Sequence, residues 1–191
     1  MQQQIKKYRA MLSECMGGDR FRISRRISNL QQLLKDNKPT NHAISAIEAQ
    51  ITKSMALHQS RASALPQISY PESLPVSGKR VAIAAAIEEN QVVVIAGDTG
   101  SGKTTQLPKM CLEAGRGRQG IIGCTQPRRI AAVSMADRVR EELRAPALVG
   151  YKIRFHDHTG TDTKIKFMTD GILLAETTHD RNLNAYDTII I

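Results

Sequence analysis

The residues best suited to chemistry lie in one run, GDTGSGKT, from Gly97 to Thr104. It fits the spacing G-x-x-x-x-G-K-[ST], in which glycines let successive backbone N–H groups turn inward around phosphate oxygens. Lys103 would set an ammonium against the β- and γ-phosphates of a nucleoside triphosphate, and Thr104 would offer a hydroxyl to Mg²⁺. With Asp98, Thr99, Gly100, Ser101 and Gly102 between, Gly97 to Thr104 is the expected nucleotide-binding segment. Such a loop works between a strand and a helix, whose N-terminal dipole adds to anion binding. The β-branched run QVVVIAG, residues 91–97, reads as that strand, and a helix is expected near 103–114.

A phosphate loop leaves the activity open. The base-reading spacing N-K-x-D is absent, since NKPT at Asn37 has the wrong fourth residue and precedes the loop. No LSGGQ-like signature of a transporter ATPase occurs either. Two later runs carry more information: TQPRR, Thr125 to Arg129, and TDGILLAE, Thr169 to Glu176. The adjacent arginines suit bidentate contact with phosphate. HDH, His156 to His158, resembles metal spacing, but no cysteine or further histidine clusters with it, so a solvated loop is expected. Cys15, Cys111 and Cys124 are scattered and form no C-x-x-C pair, which fits reduced thiols in a cytoplasmic protein.

Elements that could position these groups follow from periodicity. After the loop come GIIGCTQ as a strand, RRIAAVSMADRVREEL as a helix, VGYKIRF and KIKFMTD as strands, GILLAETTHD as a helical turn or more, and YDTIII. Strands alternating with helices argue an α/β fold with a parallel sheet covered on both faces. The closing isoleucines read as one more strand buried on both sides. No apolar run approaches the length of a membrane span.

The first third of the chain reads differently. Ile5, Tyr8, Leu12 and Cys15 fall at helical spacing and stop at Gly17-Gly18, read as a helix-ending pair. Ile23, Ile27, Leu30 and Leu34 form the stripe of a second helix. Thr40 would cap a third, with Ile44, Ile47, Ile51 and Met55 inside. The expected organisation is a basic helical unit over 1–60, a proline-containing linker over 61–78 and an α/β domain over 79–191. Charge supports this division. Residues 1–80 hold 13 Lys and Arg against 5 Asp and Glu, whereas residues 81–191 hold 14 against 13. The patch Arg22, Arg25 and Arg26 reads as a solvated face, a nucleic-acid contact or a protein-partner surface. With few aromatics nearby, a nucleic-acid role would rest on backbone electrostatics rather than stacking.

Together GDTGSGKTTQLPK, TQPRRIAAVSMADRV, VGYKIRF and FMTDGILLAE resemble the DEAH-box RNA helicases over about residues 70–191. The helical unit resembles that of bacterial members more loosely, chiefly through DRFRISRR. The resemblance implies an incomplete first RecA-like domain of an ATP-dependent RNA helicase, with ATP and Mg²⁺ as cofactors. RNA, single-stranded or structured, is the implied partner, and ribosome association is left open; a cytoplasmic monomer is expected. The resemblance makes Arg128 and Thr169 RNA-backbone contacts. Arg129 is either a further contact or a salt-bridge and packing residue, and Arg138 either stacks on adenine or is an exposed helix arginine. In the family the last strand runs into the tetrad D-E-A-H, so the catalytic residues would follow Ile191. None is expected within residues 1–191, and the chain reads as cut just short of its catalytic tetrad and inactive alone. The rival readings are another P-loop NTPase or kinase, or a non-catalytic nucleotide- or RNA-binding fragment.

Overall fold

A computed structural model describes residues 1–63 and 66–191. Ala64 and Leu65, which fall in the segment read as a linker, lie outside the described residues. The chain divides into two units, Met1–Ala64 and Leu65–Ile191.

The first unit is built from α1 (Gln2–Met11), a single 3-10 turn (Leu12–Glu14), α2 (Gly17–Lys35) and α3 (Asn41–Ser63). Each helix turns its apolar stripe inward, so that Ile5, Tyr8, Cys15, Ile23, Ile27, Leu30, Ile47 and Ile51 form one core. Thr40 accepts the first helical hydrogen bond of α3 on its carbonyl, from the Ile44 N–H at 2.9 Å. The glycine pair is a correction: Gly17 and Gly18 open α2 rather than closing α1. The first N–H groups of a helix have no intrahelical acceptor, so poor helix formers cost least there. Asp19 then sits in that first turn, where the helix dipole favours a negative charge. The buried Ser54 hydroxyl pins the junction, accepting from the Met16 N–H at 2.9 Å and donating to Asp19 Oδ2 at 2.8 Å.

The second unit contains β1 (Ile121–Gln126), β2 (Val149–Ile153), β3 (His156–Asp157), β4 (Ile165–Thr169) and β5 (Tyr186–Ile190). They form one sheet in the order β3-β2-β4-β1-β5, parallel except for β3. Its helices are α4 (Arg80–Glu89), α5 (Lys103–Glu113), α6 (Arg129–Leu143) and α7 (Asp170–Glu176). Ile122, Cys124, Val149, Ile165 and Phe167 of the sheet pack with Ala132, Ala136, Val139 and Leu143 of α6. Ile68, Tyr70, Leu74 and Val76, in the segment read as a linker, also pack on this core.

Three expectations fail here for related reasons. QVVVIAG forms no strand: residues 91–97 are irregular, and Val92 and Val94 are 79% and 91% exposed. A strand exists only where a neighbour completes its hydrogen-bond ladder. β1 is already flanked by β4 and β5, and no described strand pairs with residues 91–97. HDH is solvated as expected but is not all loop, because β2 offers a free edge and His156–Asp157 pairs with it antiparallel. Phe155, at φ 70°, makes the reversal. Finally, β5 is half-buried along its length rather than covered on both faces, since it lies at the sheet's edge and Ile191 is exposed.

Candidate nucleotide and nucleic-acid site

The loop before α5 has the backbone that its glycines allow. Gly100 and Gly102 sit at φ 83° and 93°, in the left-handed region that other residues enter only with strain. Gly102 is also the residue before α5, and a Cβ there would lie 2.9 Å from Leu74 Cδ1. Substitution at Gly102 would therefore meet both strain and a clash. Ser101 is buried and accepts on its carbonyl from the Val76 N–H at 3.2 Å, which ties the loop to the turn at Pro75–Lys79.

Lys103 opens α5 and folds its ammonium back over the loop. Nζ donates to the carbonyls of Gly97 and Asp98, the latter at 2.8 Å, and lies 3.4 Å from Ser101 Oγ. An ammonium that already binds oxygens of its own loop could bind those of a polyphosphate in their stead. Thr104 follows in the first turn of α5 and is exposed, so its hydroxyl is open to a cation held by that phosphate. No group of three or more His, Cys, Asp or Glu that could hold a metal occurs among the described residues, HDH included. His158 instead stacks at 4.6 Å on Tyr151.

Parallel pairing brings the later motifs together. Gln126 at the end of β1 is in register with Thr169 at the end of β4. Arg128 then caps α6 and Arg129 begins it, both exposed, while Thr169 caps α7. Arg128, Arg129 and Thr169 thus share the carboxyl end of two adjacent strands, where open α/β sheets bind ligands. Glu176 anchors the far end of α7. It accepts from Lys166 at 2.9 and 3.0 Å, from Lys152 at 3.1 Å and from the Tyr186 hydroxyl. Burial alone would raise the Glu176 carboxyl. The Tyr186 and Lys166 hydrogen bonds, the Lys166 charge and the Lys152 hydrogen bond outweigh it and hold Glu176 below the usual value. For Lys166 burial dominates and lowers its pKa despite the same pairing.

Arg138 lies on α6, apart from the other arginines, and its Nε donates to Glu142 Oε1 at 2.8 Å. The other oxygen of Glu142 accepts from Lys109 Nζ at 2.6 Å and Gln106 Nε2 at 3.0 Å. Lys109 is fully buried, also donating to the Ser69 carbonyl at 2.7 Å and lying 4.9 Å from the Tyr70 ring centre. Burial pushes the Glu142 carboxyl up, yet its hydrogen bonds to Lys109 and Gln106, the Lys109 charge and the Arg138 contact bring it below the usual value. Through Glu142, the helix that follows the phosphate loop is coupled to Arg138. The Arg138–Glu142 spacing was readable in sequence, whereas a buried lysine 33 positions away leaves no sequence signal.

Residues 3–62 match the family described as the HrpA N-terminal alpha helical hairpin binding domain. Over 183 residues, 94% of this chain, the sequence is 49% identical to the ATP-dependent RNA helicase HrpA of Escherichia coli. This chain is a homologue of the HrpA-type RNA helicases. A homologue from Haemophilus influenzae, named ATP-dependent RNA helicase HrpA homolog, is 50% identical over 185 residues. The Saccharomyces cerevisiae protein named "Probable ATP-dependent RNA helicase DHR1" is 54% identical over 125 residues, 62% of this chain. The matches span 14% of the length of each bacterial relative and 10% of the yeast one. The helical unit followed by a five-stranded, largely parallel sheet is consistent with an incomplete RecA-like helicase domain. No helix of the described residues is long and apolar enough to cross a membrane.

Proposed function

We propose that this chain is the N-terminal part of a DEAH-type, ATP-dependent RNA helicase, acting in the cytoplasm as a monomer. Residues 1–60 would be its helical basic unit, 61–78 a connecting segment and 79–191 its first RecA-like domain. The observation that carries the reading is the phosphate loop at the head of α5, in a chain about half identical to named RNA helicases.

Gly97 to Thr104 would cradle the β- and γ-phosphates of ATP. On binding, Lys103 exchanges the Gly97 and Asp98 carbonyls for phosphate oxygens. Mg²⁺ would lie at Thr104 and neutralise charge that develops on the transferring phosphoryl. Arg138, 57% exposed and steered by Glu142, would lie against the base. Arg128, Arg129 and Thr169 would hold the RNA backbone at the carboxyl end of β1 and β4. The residue that orients the attacking water is not assigned to any position within 1–191, so this chain alone is proposed to be inactive.

RNA-stimulated ATP hydrolysis provides the test. It should appear in a protein spanning the relatives' full length, vanish there with Lys103→Ala, and be absent from residues 1–191 alone. Wild-type turnover with Lys103→Ala would remove the loop from the mechanism, and turnover by the 191-residue chain would place the catalytic groups within it.

A further inference from the structure

The arginines of α2 acquire a new meaning from one side chain. Ile23, Ile27 and Leu30 turn inward and are fully buried, which leaves the opposite face of the helix to Phe21, Arg22, Arg25 and Asn29, with Arg26 at its flank. Phe21 is 63% exposed, although phenylalanine gains most from burial. It stands one helical turn from Arg25, and Arg22 stands one turn from Arg26. Arg22 pairs with Asp19 at 2.7 Å. Arg25 and Arg26 have no hydrogen-bond or ion-pair partner among the described residues. From Arg20 to Lys35 no Asp or Glu interrupts the face, and residues 1–63 hold 11 Lys and Arg against 4 Asp and Glu.

An outward aromatic ring beside two unpaired guanidinium groups and one paired at the helix start matches unpaired nucleic acid, which offers a base to stack and a phosphate to neutralise on each nucleotide. We infer that Phe21, Arg22, Arg25 and Arg26 form a single-stranded RNA contact of the helical unit, with Phe21 stacking a base and the arginines binding flanking phosphates. The contact shares with the proposed function only the choice of RNA as partner, and needs neither the phosphate loop nor ATP. It also revises the sequence-based expectation that this patch would act by electrostatics without stacking.

The test is fluorescence anisotropy of a short labelled oligoadenylate on the 191-residue chain, without nucleotide, across a salt series. Phe21→Ala should weaken binding about fivefold or more with the salt slope unchanged, because a stacking contact carries no counterion release. Phe21→Trp should retain wild-type affinity or better. Arg25→Gln and Arg26→Gln should each lower the log–log salt slope by about 0.7. All four positions are exposed, and an unchanged circular dichroism spectrum confirms that each variant folds.

Arg128→Gln runs alongside to separate this contact from the one proposed on the second unit. If it weakens binding while the Phe21 and Arg25 variants match wild type, the α2 contact is overturned and the other stands. The reverse pattern supports the α2 contact and overturns that at Arg128. A patch built for a protein partner would leave every α2 variant at wild-type RNA affinity, which also overturns the inference.

Discussion

Replacing Glu142 with alanine takes one acceptor away from three donors with very different alternatives. Arg138 is 57% exposed and finds water at almost no cost. Gln106 is fully buried but keeps the Thr105 hydroxyl as acceptor at 2.9 Å, so it should lose about 1 kcal/mol at most. Lys109 is also fully buried and keeps only the Ser69 carbonyl and the Tyr70 ring, so a charge there has little compensation. Breaking a buried pair from one side costs about 3–5 kcal/mol, and the remaining contacts of Lys109 place Glu142→Ala near the lower end, about 3 kcal/mol. Lys109→Met removes the other side and should cost less, about 1 kcal/mol, because Glu142 retains Arg138 and Gln106. In the double variant no buried charge is stranded, so the total should be about 2 kcal/mol rather than about 4, a coupling of about 2 kcal/mol. Urea denaturation followed by circular dichroism reads these values. With a slope of about 2 kcal/mol/M, Glu142→Ala moves the midpoint of the affected transition by about 1.5 M. Strict additivity of the two substitutions would refute the reasoning and mean that Lys109 and Glu142 are not energetically paired.

Acid should weaken the second unit through its depressed carboxylates. Glu176 and Glu142 have folded pKa values below the reference of 4.5, so their stabilisation is complete above that value and is lost as pH falls through the lower folded values. Urea midpoints measured downward from neutral pH should fall in this window, and Glu176→Gln should flatten the fall; an equally steep profile in that variant removes Glu176 as a cause. The three cysteines are all buried, and burial, helped by the Asp187 charge, pushes the Cys111 thiol up to about 12. A disulfide reagent at neutral pH should therefore label the native chain slowly and the urea-unfolded chain at once, whereas rapid labelling of the native chain would contradict the packing.

Short-range pattern was enough for the backbone of the glycine-rich loop, because its conformation depends on consecutive residues. Gly100, Gly102, Lys103 and Thr104 need only the backbone freedom and helix start that their own identities supply. The three helices of the first unit and the strands β1, β2 and β4 were equally legible, since a stripe or a β-branched run declares its own period. The same local logic failed at Gly17-Gly18, where the preference of glycine for helix ends does not say which end. A hydroxyl 35 or more residues away, that of Ser54, holds that junction in place.

What tertiary structure alone decided concerns partners distant in the chain. QVVVIAG has every property of a strand except a neighbour, and hydrogen-bond ladders are made between segments rather than within them. Lys109 reads as a solvated helix lysine until the fold buries it against Glu142 and Ser69, because burial of a charge depends on what else arrives there. Gln126 and Thr169 are unremarkable until parallel register sets them side by side and gathers Arg128 and Thr169 at the carboxyl end of two adjacent strands. Sequence thus determined which groups could meet phosphate, through chemistry that each residue carries itself. Only the fold determined which groups stand together and which, like Phe21, are left facing water, since both depend on long-range packing.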